Sequence, residues 1–201
     1  MRYKIECEKN IEYLGPQRSE KLDLYYPSQA ADGVKYPGIV VIHGGGWFTQ
    51  SKDLIRETTI ASSLAAEGYV CACIDYKLID IDSLVSPQDA WPTNLQDCRR
   101  AVSFLRDNAD KYHIDGSRIG AIGGSAGAHL AALLACADNA FGPPPPESQT
   151  DHRIGCAVIL YGIGDIHHWL DNSDCNVLAM TALELMLGGT RAEKPDAYRA
   201  A

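Results

Sequence analysis

The stretch Ile119-Gly120-Ala121-Ile122-Gly123-Gly124-Ser125-Ala126-Gly127 passes from an apolar, strand-forming segment into a serine flanked by glycines. Beyond it, Ala126 to Cys136 is rich in Ala and Leu and reads as a buried helix. Gly123 to Gly127 fits Gly-x-Ser-x-Gly, and a strand before it with a helix after it is the context that pattern requires. Such a serine sits on a sharp, strained turn whose neighbours must be small because strand and helix approach too closely for side chains. Its hydroxyl is then exposed near a helix N-terminus, where free N–H groups and the helix dipole favour developing negative charge. Five residues alone could be a glycine-rich turn; the flanking strand and helix favour an elbow that presents Ser125 as a nucleophile.

Upstream, Ile39 to Ile42 is a continuous β-branched run, as expected of a strand covered on both faces. It breaks abruptly at His43-Gly44-Gly45-Gly46-Trp47. Three successive glycines allow the backbone to turn N–H groups inward, toward the place where a carbonyl oxygen would become an oxyanion. Taken alone, the segment could equally be a tight turn anchored by Trp47. In this order ahead of the serine elbow it reads as an oxyanion loop.

The remaining pattern alternates. Lys21 to Tyr26 reads as a half-exposed strand, Lys52 to Glu67 as a helix ended by Gly68, and Val70 to Asp75 as a buried strand. Thr93 to Asn108 carries Leu95, Cys98, Val102 and Leu105 at helical spacing. Gly142 to Glu147, with four consecutive prolines, reads as a rigid surface loop, Cys156 to Tyr161 as a strand and Val177 to Leu187 as a helix. Strand and helix alternate from residue 36 onward, so a mostly parallel sheet with helices on both faces is expected, in a single α/β domain over residues 1–201.

Composition narrows the function. Apolar residues make up 46% and charged residues 22%, ordinary for a globular chain with a real core. The formal net charge of −8, with no basic stripe, argues against a nucleic-acid partner. No run of about 18 apolar residues could span a membrane, and Met1 to Asn10 lacks a signal-peptide core. The seven cysteines are scattered through apolar segments without a Cys-x-x-Cys pair or zinc spacing. They read as buried reduced thiols of a cytoplasmic protein. No Gly-x-Gly-x-x-Gly or Gly-Lys-Ser/Thr phosphate loop points to nucleotide binding.

Together the motifs resemble α/β-hydrolase carboxylesterases with a His-Gly-Gly-Gly loop, the group that includes hormone-sensitive-lipase-like and feruloyl or acetylxylan esterase-like enzymes. His-Gly-Gly-x-Trp is also similar to kynurenine formamidases, amide hydrolases on the same plan. Further matching pieces are Leu22 to Pro27, Asp75-Tyr76-Lys77-Leu78, Asp97 to Arg106, Ile114 to Ile119 and Ser125 to Leu130, so the resemblance spans roughly residues 20 to 200. It implies Ser125 as nucleophile, backbone N–H groups of Gly45, Gly46 and Ala126 as the oxyanion hole, and His43 as an organiser of the loop. The implied reaction is acyl transfer on a small acyl or aryl ester through a serine acyl-enzyme, with no metal and no organic cofactor.

The same resemblance implies an acid and then a histidine after later strands. After the elbow helix, residues up to 201 hold only one further strand, a polar segment and one helix, so the chain is expected to stop before the rest of the triad. Among histidines already present, His129 reads as buried and structural, and His113 and His152 as surface residues. Asp165 with His167 or His168, just past the strand Cys156 to Tyr161, is the one substitute acid–base pair available. Truncation would leave that strand as an unpaired edge inviting self-association. A catalytically impaired or inactive hydrolase-fold binding protein is the competing expectation.

Overall fold

The computed structural model describes residues 2–28, 33–80, 90–137, 152–172 and 177–201. The four-proline segment and Cys175 lie outside the described residues, as does much of the turn read between Ser28 and Lys35. Six strands, β1 (Ile5–Ile11), β2 (Leu22–Pro27), β3 (Tyr36–Ile42), β4 (Val70–Ile74), β5 (Ile114–Gly124) and β6 (Cys156–Leu160), form one sheet in the order β1-β2-β4-β3-β5-β6. Helices α1 (Ile55–Ala66), α2 (Thr93–Asp107), α3 (Ala126–Cys136), α4 (Ile166–Asn172), α5 (Val177–Leu187) and α6 (Pro195–Ala200) complete the described elements.

The parallel core is β4-β3-β5-β6, and β1 and β2 join antiparallel at one side. Every residue of β4 is buried because helices cover both faces. Successive side chains alternate between faces. Val41, Cys71 and Cys73 pack with Ala61 and Ala65 of α1, whereas Val40, Ile42, Ala72 and Ile74 face Leu95, Val102 and Leu130 of α2 and α3. Two parallel neighbours then set the site. Ile42 of β3 is paired with Gly123 of β5, so the loops leaving their C-terminal ends start side by side. Ligands of open α/β sheets bind outside those ends.

Several expectations change. The β2 strand is buried from Leu22 to Tyr25 rather than half exposed, because β1 and β4 flank it and Asp23 is held by Lys52 at 3.1 Å. Lys52 therefore precedes α1 instead of belonging to it. β1 was not legible because its Glu6 and Glu8 are solvent-facing on an edge strand, a usual defence against edge pairing. Cys7, Cys136 and Cys156 are exposed free thiols, while Cys71, Cys73 and Cys98 are buried as expected. His152 is buried, not on the surface. β6 is last in the sheet order, its outer edge pairs with no described strand, and Val158 and Ile159 are 49% and 41% exposed.

Candidate active site

Ser125 stands between β5 and α3 with φ 55° and ψ −119°, a left-handed backbone that an L-residue adopts only where the surroundings enforce it. Its N–H donates to the Leu160 carbonyl at 3.0 Å, and its carbonyl accepts from the N–H groups of Ala128 and His129 at 3.0 and 3.1 Å. The elbow is thereby tied to β6 on one side and to the first turn of α3 on the other. Gly127 is where α3 approaches the end of β3. A Cβ there would lie 2.3 Å from the Ile42 carbonyl oxygen and 2.4 Å from that of His43. Only glycine lets α3 seat against the end of β3.

The loop after β3 lies directly on this elbow. A Cβ on Gly44 would meet the Gly124 carbonyl oxygen at 2.8 Å and the Ser125 Cβ at 3.3 Å. Gly45 has φ +102°, and a Cβ on it would meet the Thr49 carbonyl oxygen at 2.1 Å, so the turn closes only on glycine. Ser125, Ala126, Gly45 and Gly46 line one cleft of about 460 Å³. As the first residue of α3, Ala126 has an N–H with no acceptor inside the helix. Phe48, Tyr161 and Trp169 give the cleft aromatic walls, and Leu178 and Ala182 of α5 close one side. That volume and lining suit a small, partly apolar ligand.

Buried groups hold the loop in place. His43 is fully buried, and its Nδ1 lies 2.7 Å from the Gly44 carbonyl oxygen, which can only accept, so Nδ1 carries the proton. Its ring stacks on Tyr76 at 4.4 Å and 17°. The Tyr76 hydroxyl donates to the His43 carbonyl at 3.0 Å, and burial raises that phenol well above its ordinary value, keeping it a donor. The Ile79 N–H donates to the Trp47 carbonyl at 2.8 Å, and the Asp75 carboxylate accepts from the Lys52 N–H at 2.8 Å. The segment after β4 thus clamps the glycine loop, a role the sequence left unassigned. Only the position of Tyr76, just past the end of the strand beside β3, could have suggested it.

None of the six histidines, all of them among the described residues, lines the cleft with Ser125. Burial lowers the pKa of His43 and of His129, whose Nε2 is bonded to the Ala201 carbonyl at 2.7 Å. His113 is exposed. Asp165, His167 and His168 also stand outside the cleft lining. Asp165 instead begins α4: its carboxylate accepts from the His168 N–H at 2.9 Å, which holds it below its ordinary pKa. The His168 ring faces Asn172 and the His167 ring lies 6.4 Å from Tyr198.

The BD-FAE family model matches residues 22–201, which contain every element of this site. The chain belongs to the BD-FAE family. Relatives of the chain include esterase LipQ of Mycobacterium tuberculosis, 28% identical over 96% of this chain and 43% of its own length. Esterase LipC of the same organism is 34% identical over 68% of this chain and 32% of its own length. The chain therefore spans less than half the length of these curated relatives. Among solved structures, a truncated carbohydrate esterase from gut microbiota superposes with a TM-score of 0.80 at 24% identity, covering 98% of this chain and 70% of that one. The Thermogutta terrifontis esterase Est2 gives 0.67 at 23% identity, covering 98% and 64%. The fold is that of the α/β-hydrolases. Among the described residues of this BD-FAE chain, no helix is long and apolar enough to cross a membrane.

Proposed function

We propose that the chain carries the nucleophile and oxyanion hole of a serine carboxylesterase acting on small acyl or aryl esters. One observation carries the reading: Ser125 sits at φ 55° on a strand–helix elbow and opens into the same cleft as Gly45, Gly46 and Ala126. In the reaction the Ser125 Oγ attacks the ester carbonyl and gives up its proton to a base. The carbonyl electrons move onto oxygen, where the N–H groups of Gly45, Gly46 and Ala126 receive them. The alcohol leaves with a proton, and water later attacks the acyl-enzyme to release the acid. The similarity of the chain to proteins named esterases, and the aromatic cleft, both support this substrate class.

A second reading, ester binding with little or no turnover, is favoured by the lack of any imidazole among the described residues lining the cleft. Removing a triad member costs about 10⁶ in turnover, whereas an oxyanion hole with binding alone retains roughly 10³ to 10⁴ over water. The two readings separate on hydrolysis of a short-chain p-nitrophenyl ester by the purified chain. Hydrolysis lost in Ser125→Ala supports the esterase; binding without Ser125-dependent hydrolysis supports the second reading.

A further inference from the structure

The glycine loop winds left-handed for three successive residues, Gly45 at φ 102°, Gly46 at 59° and Trp47 at 62°. The Gly45 carbonyl closes this turn by accepting from the N–H groups of Phe48 and Thr49 at 3.2 and 3.1 Å. For a tryptophan such a backbone persists only where its surroundings enforce it. Two contacts do so. The Ile79 N–H holds the Trp47 carbonyl at 2.8 Å, and the indole stands edge-on to the His129 ring at 5.4 Å between centroids. The turn then folds the next side chain back onto the loop. A Cβ on Gly46 would lie 2.8, 3.2 and 3.7 Å from Cε1, Cδ1 and Cζ of Phe48, so that ring rests against the Gly46 backbone.

The half-buried Phe48 ring borders two hollows. On one side is the cleft of Ser125, whose other walls include Ile163, Trp169 and Leu178. On the other is a hollow of about 430 Å³ beside the segment that follows β4. Phe48 is the one described residue that lines both, and the chain itself passes from the first to the second between Thr49 and Gln50. Their chemistry differs. No charged side chain is among the described residues lining the cleft, whereas Ser19, Gln50, Glu20, Asp75, Asp80 and Lys77 line the second hollow. An alkyl or aryl group gains from apolar walls and loses where it leaves polar groups unpaired. Three carboxylates against one ammonium favour a cationic group in the second hollow over a neutral one.

We propose that Phe48 is a specificity-determining residue of the ester site. Its ring is the partition that confines a bound ester to the apolar cleft and bars it from the polar hollow, so the esters admitted are small and carry no charged extension. The inference rests on the reading of the cleft as the ester site, and it assigns a role to a residue just outside the glycine motif.

The test has one arm independent of turnover. Hydrolysis-resistant 4-nitroanilides replace the esters, and quenching of the fluorescence of Trp47 and Trp169, which line the cleft, reads their Kd. One series extends the acyl end, with the hexanoyl and 6-aminohexanoyl anilides. The other extends the aryl end of the acetyl anilide with a butyl or a 4-aminobutyl chain. In Phe48→Ala, the Kd ratio within one series should shift about ten-fold toward the ammonium probe, as for one hydrogen bond to a charged group. The series that shifts identifies the half of the ester facing Phe48. Phe48→Leu, which keeps bulk and guards against a variant that fails to fold, should shift the same ratio in the same direction. Leu178→Ala widens the cleft from α5 without touching the second hollow, and should leave both ratios unchanged. A folded Phe48→Ala or Phe48→Leu with wild-type ratios in both series overturns the proposal, as does an equal shift in Leu178→Ala. In the second arm, kcat/KM for the matching p-nitrophenyl esters should follow the same ratio. A chain that binds the anilides and hydrolyses no ester defeats the esterase reading only, because the binding ratios still decide the role of Phe48.

Discussion

Alanine at Gly127 should damage both the fold and the chemistry, by an amount that follows from the contacts. The added methyl would stand 2.3 and 2.4 Å from two backbone carbonyl oxygens, those of Ile42 and His43. An ordinary C···O approach is about 3.3–3.6 Å, so α3 and the end of β3 must separate by roughly 1 Å. Neither partner can yield by rotating a side chain. Overpacking of this kind costs about 1–3 kcal/mol. In a chain of this length each kcal/mol lowers Tm by about 2–4 °C, so a loss of roughly 2–12 °C is expected. The same separation moves Ser125 away from Gly45 and Gly46, and a 1 Å misplacement can cost about 10² in rate. Thermal scans read the first effect and p-nitrophenyl ester hydrolysis the second. Gly164→Ala is the control, because a Cβ there meets nothing within 4 Å. A Gly127→Ala chain with wild-type Tm and rate would refute the claim that this contact seats the elbow.

Two further outcomes concern charges in the interior. Asp23→Ala removes the carboxylate 3.1 Å from the Lys52 ammonium, which is 3% exposed and keeps Asp53 at 3.0 Å, and takes the acceptor from the Asn10 N–H, so it should cost about 1–3 kcal/mol in urea unfolding; Asp23→Ala with Lys52→Met should recover part of that loss, and a silent Asp23→Ala contradicts the account. Burial holds the pKa of His129 below its ordinary value. Below about pH 6.5 the unfolded chain then binds more protons than the folded one, so this contribution is complete above that pH and lost as pH falls. The drop in Tm between pH 7.5 and 5.5 should therefore be shallower in His129→Gln than in wild type, and an equal or steeper drop contradicts it.

The parallel core was legible because strands covered on both faces must be continuously apolar, as Val70 to Ile74 is. The elbow and glycine loop were legible for a different reason: close backbone approach forces glycine at Gly45 and Gly127, and that demand survives in the sequence. Edge strand β1 was hidden by its solvent-facing glutamates, and the burial of β2 depends on a partner, Lys52, that a pattern with period two cannot reveal. The role of Tyr76 stayed hidden because nothing local marks a side chain whose task is to hold another loop. Asp165 and the His167–His168 pair looked chemical in sequence, yet a carboxylate followed three residues later by a helical N–H is also a helix start, and that is what Asp165 makes.

The central claim is that Ser125 is a nucleophile set against the Gly45 and Gly46 loop, and hydrolysis of a short-chain p-nitrophenyl ester by the wild-type chain and Ser125→Ala tests it most directly. The account predicts wild-type hydrolysis above the buffer rate that falls to background in a folded Ser125→Ala chain. Wild-type hydrolysis that persists undiminished in Ser125→Ala would contradict it.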